Sequence, residues 1–158
     1  MTDLWLEIVA RLSLSVVVGA VLGLNRDLHG KPAGVRTHAL VCLGTALAVV
    51  LVLPPGDDIN HHIDALSRVI QGIVTGIGFL GAGVIVRDVT RKHVTGLTTA
   101  AAIWFAAILG LACGMGKYLP VGVALALGLI VVVFGGPFER LFRRRKRSGA
   151  ETGEEDPT

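Results

Sequence analysis

Residues 71 to 83, Gln-Gly-Ile-Val-Thr-Gly-Ile-Gly-Phe-Leu-Gly-Ala-Gly, form an uncharged run with five glycines. In water this would be a poor helix, because each glycine costs about 1 kcal/mol relative to alanine. In lipid the hydrophobic drive between helices is absent and close backbone approach takes its place, so small residues become useful. The run therefore predicts a membrane helix built to be approached closely. At about 100° per residue, Gly72, Gly76, Phe79 and Gly83 form one stripe, and Gln71, Thr75, Gly78 and Ala82 form another beside it. Such a helix is expected to be central, touching two neighbours or a symmetry mate, with a water-lined passage as the alternative. Gly72, Gly76, Gly78, Gly81 and Gly83 are its candidate packing residues.

Four further segments share this apolar character, in a chain whose mean hydropathy is +0.67. The five segments run over residues 4–24, 37–53, 66–86, 97–113 and 118–134. Each comes near the roughly 20 helical residues, within a range of about 17 to 25, that cross a hydrocarbon core. The expected fold is an all-α membrane protein with five transmembrane helices. Residues 1–138 make one membrane domain, and residues 139–158 form a basic then acidic cytoplasmic tail, expected to be disordered.

Orientation follows from the basic residues, which stay on the cytoplasmic side of segment ends. One set of loops holds twelve: Arg26, Lys31, Arg36, Arg87, Arg91, Lys92, Arg140, Arg143, Arg144, Arg145, Lys146 and Arg147. The other set holds only Lys117. The N-terminus is accordingly expected outside and the C-terminus in the cytoplasm. Asp3 precedes the first segment and Arg26 follows it, the reverse of a cleavable signal peptide, so that segment is expected to be retained. Cys42 and Cys113 fall at different depths and read as small packing residues.

An internal echo links the two cytoplasmic turns. Arg26-Asp27-Leu28, Lys31 and Gly34-Val35-Arg36-Thr37-His38-Ala39 are matched by Arg87-Asp88-Val89, Lys92 and Gly96-Leu97-Thr98-Thr99-Ala100-Ala101. Each copy joins an inward segment to an outward one, so helices 1-2 and 3-4 are expected to form a parallel repeat about an axis along the membrane normal. Each copy also places glycine and hydroxyl residues at a helix N-terminus, where backbone N–H groups lack partners. Capping is the plain reading, with Asp27 and Asp88 as candidate anions; an exogenous phosphate or lipid headgroup is the alternative.

Few ionisable groups lie inside the segments. Glu7 and Arg11 are spaced i, i+4 and can pair on one helix. Arg68 and Gln71 open the third helix on one face. Intramembrane charge is a functional candidate by default, although all four residues sit toward the outer end, where structural pairing and snorkelling are easier. The candidate functional polar residues are Asn25, Arg26, Asp27, Arg36, Thr37, Arg68, Gln71, Arg87, Asp88, Thr98 and Thr99.

Several motifs together resemble the MgtC/SapB family of bacterial inner-membrane proteins. They are Gly23-Leu24-Asn25-Arg26, Gly30-Lys31-Pro32-Ala33-Gly34-Val35-Arg36-Thr37-His38-Ala39-Leu40, Arg68 with Gln71, Gly76 through Gly83, Gly96-Leu97-Thr98-Thr99-Ala100-Ala101-Ala102-Ile103-Trp104, and Gly110-Leu111-Ala112-Cys113-Gly114. The resemblance spans about residues 4 to 135. It implies a five-helix domain in the plasma membrane, linked to magnesium homeostasis, survival in hosts and membrane energetics, with some members regulating partner membrane proteins. Family members often continue into a soluble cytoplasmic domain, where this chain has residues 140–158, a short form. Asn25 stands where the family usually has a glutamate, so a role needing a negative charge there would fall to Asp27 or be lost.

Two functions follow: a regulator acting through other membrane proteins, or an ion transporter or channel. Magnesium binds through carboxylates and waters, and the membrane segments offer only Glu7. Asp57, Asp58, Asp64, His61 and His62 could sense a cation in the outer loop, but a solvated acidic loop is the simpler reading. No Walker loop, nucleophile elbow, HExxH or zinc spacing is present, so neither an enzyme nor a cofactor or metal site is expected. The basic run 140–147 follows a membrane helix directly, which favours anionic lipid over nucleic acid. The expected partners are the bilayer, anionic lipid, other membrane proteins and, through the glycine stripes, a second copy.

Overall fold

Every apolar segment expected to cross the membrane is a helix in the computed structural model, which describes the backbone of residues 2–88 and 93–151 and the side chains of residues 3–85 and 94–135. Helix α1 spans Thr2–Leu28, α2 Val35–Val52, α3 Ile59–Val84, α4 Leu97–Gly114 and α5 Tyr118–Glu151. All five are long and apolar enough to cross a membrane, the fifth over Tyr118–Gly135. Helices satisfy their backbone groups internally, which is what a solvent without hydrogen-bonding partners demands.

Three features differ from expectation. Helix α3 begins at Ile59, well before residue 66, because Asp58 caps it: the carboxylate accepts from Asn60 N at 3.0 Å. Helix α5 continues through Glu151, past residue 134, the expected end of the fifth apolar segment. Its run of Arg and Lys consists of good helix formers. Between α3 and α4 lies an antiparallel hairpin of β1 (Val86–Asp88) and β2 (His93–Thr95), with Val86 opposite Thr95 and Asp88 opposite His93.

The chain divides into two units, Met1–Leu125 and Ala126–Thr158. In the second, the described part is the remainder of α5. In the first, the enclosed element is α4, with 56% of its membrane window buried against 11% for α3. Among the described residues the glycine-rich helix is thus not the enclosed one: α3 packs chiefly along α4 and leaves most of its surface open, Phe79 being 83% exposed, so of the two expected arrangements the one left to it is the symmetry mate.

Two other glycine pairs make the core. Gly19 and Gly23 on α1 lie against the start of α2: a Cβ on Gly19 would stand 2.5 Å from the His38 carbonyl oxygen, and one on Gly23 2.6 Å from Val35 Cα. Gly110 and Gly114 on α4 press on the other side of α2: a Cβ on Gly110 would overlap Thr45 Oγ1 and the Cys42 backbone, and one on Gly114 would stand 2.6 Å from the Ala46 carbonyl oxygen. Both pairs are spaced i, i+4, the small-xxx-small arrangement that lets helix backbones touch. The contacts run in opposite order along α1 and α2 but in the same order along α2 and α4, so α1 is antiparallel to both. Within this sandwich Cys42 and Cys113 are buried, and Cys42 Sγ donates to the Ala106 carbonyl at 3.0 Å.

Candidate functional site

One polar cluster gathers where α1 ends and α2 and α4 begin. Arg26, in the last turn of α1, is 2% exposed. Its Nη2 donates to Thr99 Oγ1 in the first turn of α4 and to the Pro32 carbonyl at 3.4 Å. Asp27 turns the other way: its Oδ2 accepts from Val35 N at 2.9 Å, placing a carboxylate on the otherwise uncapped N-terminus of α2. That fit depends on Gly34, since any Cβ there would occupy the Asp27 carboxylate's place. His38, fully buried one turn into α2, donates through Nδ1 to the Gly34 carbonyl at 2.9 Å, within electrostatic reach of Arg26 and Asp27. Arg26 Nε and His38 Nε2 are buried polar atoms without a partner among the described residues.

A second cluster closes the other end of the same helices. Arg11 Nε meets Glu7 Oε1 at 2.9 Å, the pairing expected from their spacing. Arg11 Nη1 also donates to the Gly114 carbonyl at 2.9 Å, and Tyr118 OH donates to the same Glu7 oxygen at 2.5 Å. Gly116, at φ 69°, turns the chain tightly beneath the guanidinium, 2.9 Å from which a Cβ would lie. A cation here meets the negative end of the α4 dipole as well as a carboxylate. The same fifteen-residue spacing separates Arg11 from Arg26 on α1 and Thr99 from Gly114 on α4. The two arginines are thus tie points about 22 Å apart along both helices, at about 1.5 Å per residue.

Of the residues singled out from sequence, Arg26, Asp27 and Thr99 are brought together: Arg26 takes a hydroxyl and a carbonyl, Asp27 a helix end. Asn25 is half-buried, its carbonyl accepting from His29 Nδ1 at 2.7 Å, while Arg36, Thr37 and Thr98 are exposed. Arg68 and Gln71 are exposed on α3, Gln71 donating to Ser67 Oγ at 3.1 Å. The side chains of Arg87 and Asp88 lie outside the described residues. Of the packing glycines, Gly81 meets Ala100 at 3.5 Å, whereas Gly72, Gly76, Gly78 and Gly83 face open space among the described residues. Sequence reasoning passed over His38, Tyr118 and the Gly19/Gly23 and Gly110/Gly114 pairs; the i, i+4 glycine spacing was the available signal for the last two. In the outer loop, Asp57 Oδ2 is engaged by His62 Nε2 at 3.1 Å and Asp58 caps α3, and no group of metal-ligating side chains gathers among the described residues.

The family model for the MgtC family matches residues 12–141, across all five helices. The chain belongs to the MgtC family. It is 45% identical over 137 residues to SrpB of Synechococcus elongatus, covering 82% of this chain and 71% of that protein. To YhiD of Escherichia coli, whose given name offers magnesium transport as a proposal, it is 38% identical over 115 residues, covering 71% of this chain and 53% of the relative. To MgtC of Salmonella typhimurium it is 36% identical over 124 residues, covering 78% and 49%. The chain therefore spans about half the length of these last two. No solved structure matches it. Its five apolar helices and family place this MgtC-family chain in the bacterial inner membrane as a multi-pass protein surrounded by lipid.

Proposed function

We propose that this MgtC-family chain is a non-enzymatic regulator of magnesium homeostasis or membrane energetics that works by packing against other membrane proteins. The carrying observation is the open face of α3. Two of the chain's small-xxx-small pairs are used internally on α2, while Gly72 and Gly76 have the same spacing and, among the described residues, nothing within 4 Å of where a Cβ would stand. Such a face lets another helix approach closely, whether from a partner protein or a second copy. The basic residues orient the chain with α1 starting outside and α5 ending in the cytoplasm, where the 140–147 run favours anionic lipid. The parallel course of α2 and α4 supports reading α1-α2 and α3-α4 as a repeat, although the matched glycines differ in shape: Gly34 is extended and Gly96 left-handed.

Ion transport is the second reading, favoured by the name of YhiD. Purified protein in liposomes loaded with a magnesium-sensitive dye separates the two. The regulator reading expects no flux above empty vesicles; robust, saturable flux overturns it.

A further inference from the structure

The N-termini of α2 and α4 are finished in opposite ways. On α2, Asp27 brings a carboxylate to the first free N–H. On α4, the cap is Gly96 at φ 90°, with no side-chain cap bond. Among the described side chains, the charge bonded to that end is a cation, the Arg26 guanidinium on Thr99. A helix N-terminus already carries partial positive charge, so a buried cation beside it has the wrong sign for stability. Among the described residues Arg26 makes no ion pair, and its Nε has no acceptor although the residue is 2% exposed. A buried guanidinium lacking an acidic partner is costly unless an anion joins it.

We propose that Arg26 and the N-terminus of α4 form a binding site for a phosphate-class anion, supplied by a phospholipid headgroup or by free phosphate. A tetrahedral oxyanion has enough acceptor oxygens to take Arg26 Nε together with free N–H groups of the first turn of α4 and the exposed Thr98 hydroxyl. Among the described side chains Asp27 is the nearby charge that opposes it, and its carboxylate is engaged on α2. The exposed Lys31 and Arg36 add positive charge to the same end of the chain.

The test is thermal unfolding of the full chain, first in neutral detergent with inorganic phosphate, then in phosphatidylcholine nanodiscs with or without phosphatidylglycerol. Saturating anion should raise the midpoint by about 4 °C or more. A response to phosphate assigns the site to the free anion, and a response to phosphatidylglycerol alone assigns it to a headgroup. Either response should vanish in Arg26→Gln. Should that variant fail to fold, Thr98→Asp serves instead: a tethered carboxylate at the start of α4 should raise the midpoint by itself and abolish the response. The proposal is overturned if neither probe acts on the wild-type chain, if the response survives Arg26→Gln or Thr98→Asp, or if it emerges only in Asp88→Asn, which would give the anion's place to that carboxylate.

Discussion

Arg11 Nη1 donates to the carbonyl oxygen of Gly114 at 2.9 Å, joining the first membrane helix to the end of the fourth across 103 residues of sequence. The same guanidinium holds Glu7, which in turn accepts from Tyr118 at the start of α5. Each partner released from this cluster would lose a hydrogen bond to a charged group. Arg11→Met is therefore expected to lower stability by about 1.5 to 3 kcal/mol, and Tyr118→Phe by about 1 kcal/mol. Unfolding midpoints in a detergent titration check both; an Arg11→Met midpoint equal to wild type would show that the tie contributes nothing.

Glycine substitutions should sort by face. Gly23→Ala, Gly110→Ala and Gly114→Ala each put a Cβ into the backbone or side chains of α2, and overpacking of this kind costs about 1 to 3 kcal/mol. Gly76→Ala meets nothing among the described residues and, alanine being the better helix former, should not lower stability. Gly76→Leu and Gly78→Leu should preserve the fold while weakening association with a partner or second copy, measured by crosslinking or co-purification. Wild-type association and activity in both leucine variants would mean that this face points to lipid.

Asp27 acts as a cap reached from the preceding helix. Asp27→Ala should cost about 0.5 to 2 kcal/mol, in the range of lost N-caps. Asp27→Asn, which keeps an acceptor oxygen, should recover most of that loss. Insertion should be intact in both, with function impaired in the alanine variant. Equal midpoints for Asp27→Ala and wild type would remove the cap from the account.

Topology is open to direct labelling. In a background lacking Cys42 and Cys113, a thiol-reactive, membrane-impermeant probe should reach Asp58→Cys in intact cells and Ser148→Cys only after permeabilisation. Labelling of Ser148→Cys in intact cells would refute the orientation drawn from the basic loops.

The number of helices, their approximate limits and the family were legible in the residues alone, because a bilayer demands long apolar helices and hydropathy is a property of each segment by itself. The Glu7–Arg11 pair was legible for the same reason, being local to one helix. Which glycines pack was not: the run 72–83 is the more conspicuous, yet Gly19, Gly23, Gly110 and Gly114 are the ones that meet α2. Composition records that a helix can be approached closely, whereas only the assembled fold decides what approaches it. The partner of Arg26 was hidden likewise, since Asp27 is its neighbour in sequence but successive side chains on a helix point apart. Folding sends Asp27 to α2 and brings Thr99, 73 residues away, to Arg26.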